Sequence, residues 1–207
     1  MLTLMLITDK IFSAFLDCET KSYLRLSGDV EPQRELIEWK RRLVDDFKEK
    51  CSIQLRSGFR EEDYLAGADY HEILEGSNHL LVIECLVQAK GLQSNIHALE
   101  RIITSGKSKR NHFIPIRFVP TQKITKHVKL LLAFDALVLS AASGKMPLFG
   151  KIIHGIEKRV VKVQLAGLMK MTEAAVGKIA AQQAASAPPQ LVLNKHCAEC
   201  EFQPRCR

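Results

Sequence analysis

The chain ends in the stretch Lys195-His196-Cys197-Ala198-Glu199-Cys200-Glu201-Phe202-Gln203-Pro204-Arg205-Cys206-Arg207, which carries three cysteines in the order C-x-x-C-x-x-x-x-x-C. Two thiolates three residues apart can reach one metal centre from a single turn, and Pro204 favours a turn that brings the third thiolate back to them. Three thiolates leave a tetrahedral zinc or a cubane iron–sulfur cluster one ligand short. A fourth ligand is therefore expected from elsewhere, and Cys18 is the best candidate.

Cys18 lies almost the whole chain away from the other three cysteines. If it is the fourth ligand, a metal joins the two ends of the protein. The alternative is that Cys18 is a small buried apolar residue, because cysteine is among the most buried residue types. His196 adjoins the cysteines and has three readings: a hydrogen-bond donor behind the ligands, a rival ligand for zinc, or an exposed loop residue.

The composition suits one domain over residues 1–207, with the cysteine staple at 194–207. The net charge of +7 and the pI near 9.1 permit binding to nucleic acid. No apolar run is long enough to span a bilayer, and residues 1–7 are too short for a secretory signal. We therefore expect a cytoplasmic protein without a membrane partner, in which six cysteines indicate metal or free thiols and not disulfides.

The order of predicted elements indicates a mixed α/β fold. A first helix begins at Thr8 or Asp9 and ends near Cys18. A long amphipathic helix follows, over residues 32–50, with Trp39 and Leu43 on its apolar stripe. Strands are predicted at 52–56, 80–87, 92–101, 113–119, 150–155 and 159–163, and further helices at 129–140 and 165–185. Pro115 suits only the start or edge of a strand, or a bulge.

A basic loop lies between the strands at 92–101 and 113–119. Its cations are Lys107, Lys109 and Arg110, and they could contact the phosphates of a nucleic acid. A solvated hairpin tip is the commoner explanation of such a loop.

Three stretches resemble one family of nucleases. They are Phe15-Leu16-Asp17-Cys18, Gly150-Lys151-Ile152-Ile153-His154-Gly155, and Leu193-Asn194-Lys195-His196-Cys197-Ala198-Glu199-Cys200-Glu201-Phe202. The chain is similar to the RecB-like, PD-(D/E)xK nucleases that carry a C-terminal cysteine cluster. The resemblance implies a restriction-endonuclease-like mixed sheet flanked by helices. It also implies a 4Fe–4S cluster on Cys18, Cys197, Cys200 and Cys206, with Cys51 and Cys85 left as buried thiols.

The nuclease centre of that family has an Asp on one strand, an acid two residues before a Lys on the next, and a Gln-x-x-x-Tyr helix. In this chain His97 replaces the Asp, and Arg117 and Val119 replace the acid and the Lys. Leu130 and Phe134 replace the Gln and the Tyr. Because two carboxylates are needed to hold Mg²⁺ or Mn²⁺ at the phosphate, we expect the fold to be retained and the nuclease to be degenerate.

Three functions follow as hypotheses. The first is a DNA-binding module of a larger DNA-processing or defence protein. The second is an active metal-dependent exonuclease or endonuclease, with Glu84 as its carboxylate and Lys123 or Lys126 as its amine. The third is a zinc-stapled protein-interaction module. Asp135, in the predicted buried helix, is either a carboxylate in a pocket or one half of a structural ion pair.

Overall fold

A computed structural model of the protein describes residues 6–29, 35–70, 73, 78–102, 112–185 and 187–206. The helices are α1 (Asp9–Asp17), α2 (Glu19–Leu26), α3 (Glu35–Arg56), α4 (Lys126–Ser143) and α5 (Ala166–Ala184). The strands are β1 (Ile7–Thr8), β2 (Tyr64–Ala66), β3 (Leu81–Ala89), β4 (Leu92–Arg101), β5 (Phe113–Val119), β6 (Phe149–His154) and β7 (Arg159–Gln164).

The strands form one mixed sheet in the order β2-β3-β4-β5-β6-β7, with β1 added beside β4. Neighbouring strands run antiparallel in the β3–β4, β4–β5 and β6–β7 pairs, and parallel in β5–β6, β2–β3 and β1–β4. The parallel pair β5–β6 requires a crossover, which α4 provides. The prediction of a mixed α/β fold, with a mixed sheet flanked by helices, is confirmed.

Helices cover both faces of the sheet. Leu81 and Val82 are neighbours on β3 and therefore point to opposite faces. Val82 packs in the core beneath α1, α4 and α5. Leu81 packs on the other face with Cys51 and Phe47 of α3.

The structure corrects two predictions about α3. The expected strand at 52–56 is the last part of this helix, since no helix breaker follows Lys50 before Gly58. The apolar stripe is also not buried along its whole length, because Trp39 is 52% exposed and Leu43 is 45% exposed. Only the second half of α3 packs on the sheet.

Pro115 lies inside β5, a central strand, and not at an edge. Regular pairing of β5 with β6 begins at Ile116, one residue later. The missing N–H of Pro115 therefore interrupts no regular ladder bond with β6, and the residue is tolerated in the middle of the sheet.

Candidate metal centre

Cys18 forms the junction between α1 and α2. Its extended backbone (φ −166°, ψ 130°) ends the first helix and begins the second. Its N–H donates to the Ala14 carbonyl at 2.8 Å, and its own carbonyl accepts from the Ser22 N–H at 3.1 Å. Cys18 therefore lies at the end of α1, where the sequence predicted it.

The other three cysteines are spaced by two short 3₁₀ turns, Cys197–Glu199 and Gln203–Arg205. Cys197 opens the first turn, Cys200 ends it, and Cys206 ends the second. Pro204 lies in the second turn, where the sequence predicted that it would help the chain fold back.

All four cysteines line one cavity of about 810 Å³. Cys18, Cys197, Cys200 and Cys206 are each half-buried. The structure thus brings Cys18 and the three C-terminal cysteines to one cavity, and their binding of a metal stays a prediction. The cavity is also lined by Asp17, Lys21, Leu24, His196, Glu199, Phe202, Gln203 and residues 191–195.

The four thiols influence one another. Burial raises the pKa of the Cys206 thiol, and the neighbouring Cys18 and Cys197 thiols add to the rise. Burial likewise raises the pKa of Cys200, with a contribution from Cys206. Among the described residues, no three His, Cys, Asp or Glu side chains converge on a single metal ion. The thiols surround a shared space and do not form a closed tetrahedron.

Backbone N–H groups point at two of the sulfurs. The Asn194 N–H donates to Cys197 Sγ at 3.2 Å. A backbone hydrogen bond from Phe202 partly offsets the raised pKa of Cys200. Hydrogen bonds of this kind stabilise negative charge on sulfur, so they suit thiolates that bind metal. These hydrogen bonds could not be predicted from the sequence, because they depend on how the 3₁₀ turns fold.

His196 is 45% exposed at its side chain, and its Nδ1 lies 3.9 Å from Asp17 Oδ1. Asp17 Oδ1 also lies 3.4 Å from His127 Nδ1. His196 therefore sits at the rim of the cavity beside a carboxylate. Of the three interpretations, this position fits an exposed loop residue better than a metal ligand.

Cys51 and Cys85 lie far from this cavity, in the core, at 1% and 0% exposure. Burial raises the pKa of Cys51 to about 11, partly offset by Lys158. Burial, with a smaller contribution from Asp69, raises the pKa of Cys85 to about 12. Their prediction as buried thiols is confirmed.

We expect Cys51 and Cys85 to resist alkylation in the folded, metal-free protein, while the four cavity cysteines react. Both side chains are buried, and the raised pKa of each keeps its thiol protonated at pH 8, where the reactive species is the thiolate. Timed labelling with iodoacetamide, read by peptide mass spectrometry, checks this. Labelling of Cys85 at the rate of Cys197 would contradict it.

The expected nuclease positions occupy the centre of the sheet. The His97 Nδ1 accepts the backbone N–H of Phe118 at 2.9 Å. Burial, with Arg117 and Lys48 as smaller causes, holds the pKa of His97 well below its usual value, so the ring is neutral. A neutral ring that accepts at Nδ1 carries its proton on Nε2, and neither nitrogen is then free to bind a metal.

Arg117 is held by a buried carboxylate. Its Nε and Nη2 donate to the two oxygens of Asp135, at 2.9 and 2.6 Å. Ser94 Oγ donates to the same carboxylate at 2.6 Å. Burial lowers the pKa of Arg117, but Asp135 more than offsets this and the pKa is raised. Asp135 is thus part of a structural ion pair, one of the two readings that its sequence position allowed.

The remaining positions of the nuclease motif are filled by apolar core. Val119 and Leu130 are each 8% exposed, and Phe134 is fully buried. The Phe134 ring stacks on Phe12 with centroids 4.5 Å apart. None of these side chains offers a group that could bind a cation or a phosphate.

Glu84 is an exposed carboxylate beside His97. It lies in the middle of β3 with φ 55°, a left-handed conformation that is rare for glutamate. Glu84, His97 and Lys48 line a small cavity of about 20 Å³. That volume holds about one water molecule.

The predicted phosphate-binding cations Lys107, Lys109 and Arg110 lie outside the described residues. The structure describes a second basic group, Lys123, Lys126 and Lys129, at the start of α4. Lys123 and Lys126 are exposed and Lys129 is half-buried. The first turn of α4 contains no acidic residue, and its N-terminus adds a partial positive charge.

Comparisons with known proteins do not identify a family. No protein-family model matches the chain, and no curated protein matches it. A solved structure described as "Crystal structure of SSO0001" is similar over 97% of this chain and 84% of that chain, with 14% sequence identity and a TM-score of 0.45. A similarity of this extent does not identify a function. Within the described part of the chain, no helix is both long and apolar enough to cross a membrane.

Proposed function

We propose that this chain is a DNA-binding domain with a restriction-endonuclease-like fold, a 4Fe–4S cluster and no nuclease activity, acting as a module of a larger DNA-processing or defence protein. The observation that carries the proposal is the shared cavity of Cys18, Cys197, Cys200 and Cys206. Four thiolates can hold either a tetrahedral zinc or a 4Fe–4S cluster, and the cluster is proposed because the cysteine pattern resembles that of the iron–sulfur nucleases.

The role of the cluster is structural. If the four cysteines supply all of its ligands, no coordination position remains open for a substrate. The cluster then joins the start of α2 to the C-terminal turns. The cluster then stabilises the fold and takes no part in a reaction.

Loss of nuclease chemistry rests on three substitutions in the expected centre. His97 has no free nitrogen for a metal, Arg117 is paired with Asp135, and Val119 is apolar. The two carboxylates that would hold Mg²⁺ or Mn²⁺ are thus replaced by His97, which has no free nitrogen for a metal, and by Arg117, which repels a cation. Binding without cleavage is the function that this arrangement favours.

The deciding experiment is a visible absorption spectrum of anaerobically purified protein, with iron, sulfide and zinc analysis. Brown protein with iron and sulfide in cubane proportion supports the proposal. Colourless protein with one zinc per chain would show that the four cysteines bind zinc and not a cluster. If DNA binding is also absent, a protein-interaction module becomes the better-supported function.

We expect the double variant K123E/K126E to bind DNA more weakly than the wild type. Both lysines are exposed and lie at or just before the start of α4. Each lost phosphate contact reduces the slope of log K against log salt by about 0.9 on duplex DNA. Fluorescence anisotropy titrations at several salt concentrations measure both quantities.

The matched control is K50E/K170E, which makes the same charge change at two exposed lysines elsewhere. Equal losses of affinity in both double variants would show that only net charge matters. In that case the start of α4 is not the DNA-binding surface.

One observation favours an active nuclease as a second candidate. Glu84 holds a strained backbone conformation beside His97, and strain of this kind is concentrated at functional sites. Cleavage of DNA with Mg²⁺ or Mn²⁺ that is lost in Glu84→Ala would establish this candidate. Absence of cleavage by the wild-type protein with either metal removes it.

A further inference from the structure

We propose that the C-terminal tail, residues 194–206, docks on the rest of the protein without any metal, and that Glu201 and Phe202 position its cysteines before a cofactor binds. The docking stands independently of the proposed cluster, whereas the positioning of ligands rests on it. The cofactor would then enter, and leave, a protein that is already folded.

Glu201 forms the centre of the docking contact. Its two carboxylate oxygens meet different cations of α2: Oε2 lies 3.2 Å from Lys21 Nζ, and Oε1 lies 2.7 Å from Arg25 Nη2. The Glu201 side chain is 8% exposed, so water screens these pairs less than it screens surface pairs. Lys21 and Arg25 are one helical turn apart and face the same side.

Lys21 also connects the two groups of cysteines. Its Nζ lies 3.2 Å from Asp17 Oδ2, next to Cys18, as well as 3.2 Å from Glu201, next to Cys200. One ammonium group therefore fixes the spacing between the N-terminal cysteine and the tail.

Phe202 provides an apolar anchor. It is 1% exposed and is among the largest fully buried side chains of the protein, although it lies in a tail that consists of short turns. Burial of an aromatic side chain removes a large apolar area from water, so Phe202 stabilises the docked position of this short segment.

Further polar contacts hold the tail along its length. Asn194 Nδ2 donates to the Asp17 carbonyl at 3.0 Å, near the tail's start. Arg205 Nη2 lies 2.6 Å from Asp29 Oδ1, near its end. Lys40 of α3 lies 2.7 Å from Glu199. None of these contacts involves a thiol, so removing the metal leaves all of them intact.

The test uses hydrogen exchange in a variant that cannot bind the cofactor, with Cys18, Cys197, Cys200 and Cys206 all changed to Ser. We expect amides of 194–206 to remain protected in this variant, relative to a free peptide of the same sequence. Adding E201Q and F202A should raise their exchange about tenfold or more, whereas adding E173Q, at an exposed glutamate of α5 outside the tail, should not.

Exchange of the tail at the free-peptide rate in the four-serine variant would overturn the proposal, provided the sheet amides stay protected. If the serine variant does not fold, wild-type protein stripped with chelator under reducing conditions gives the same comparison. Because no metal is present, the result is independent of whether the purified protein contains iron. In protein that does contain it, E201Q should lose iron to a chelator several-fold faster than E173Q, and equal rates would remove the positioning role.

Discussion

Replacing Arg117 by methionine will lower the free energy of unfolding by about 3–5 kcal/mol, a typical cost of leaving a buried charge without its partner. Asp135 is fully buried, and in the variant Ser94 is the one side chain among the described residues that would still donate to it. Methionine keeps much of the length and apolar volume of arginine, so the loss reports the missing charge more than a cavity. Urea unfolding gives the free energy, and an unchanged m value shows that the two-state comparison holds.

The double variant R117M/D135L is the control for this result. It removes both charges, and we expect it to be more stable than R117M alone, because no unpaired group remains. A loss below about 1 kcal/mol in R117M would mean that the pair contributes no more than a surface salt bridge.

The loss in R117M should also depend on pH. Burial raises the pKa of Asp135, while Arg117 and Ser94 lower it, so removing Arg117 moves the pKa further up. A group whose pKa is higher in the folded state than in the unfolded state destabilises at pH values above both. The deficit is therefore expected to be largest at neutral pH and to shrink as the pH falls toward the unfolded pKa of Asp135.

The sequence predicted those parts of the fold that depend on local pattern. The β3–β4 hairpin follows from two apolar runs joined at Lys90 and Gly91, and both residues have the positive φ, 50° and 77°, that a tight turn needs. Gly144 ends α4 in the left-handed conformation, as predicted. Signals of this kind involve neighbours along the chain, so they can be read without the structure.

Contacts between distant residues could not be predicted in the same way. Asp135 pairs with Arg117, which is 18 positions away, and with Ser94, which is 41 positions away. Glu201 meets Arg25 across 176 positions, and no motif relates the two. The cysteines are the exception, because metal chemistry requires four ligands, and three in the tail pointed to a fourth elsewhere.

Changing Cys18 to serine will lower both the metal content and the melting temperature. Cys18 is the single cysteine that the N-terminal part of the chain brings to the cavity, and a serine hydroxyl is a much poorer ligand for iron or zinc than a thiolate. If the cofactor is present at a thousand times its dissociation constant, losing it removes about 4 kcal/mol of stabilisation. Iron, sulfide and zinc analysis, together with thermal unfolding, measures the two effects.

Cys51→Ser is the matched control, because it makes the same chemical change at a cysteine outside the cavity. Cys51 is 1% exposed, so a buried hydroxyl should cost some stability there while the metal content stays complete. Metal content thus separates loss of a ligand from damage to the core. A Cys18→Ser protein with its full metal content and an unchanged melting temperature would show that Cys18 is not a ligand. The tail contacts of Glu201 and Phe202 remain in this variant, so its loss of stability should be limited to the cofactor's contribution.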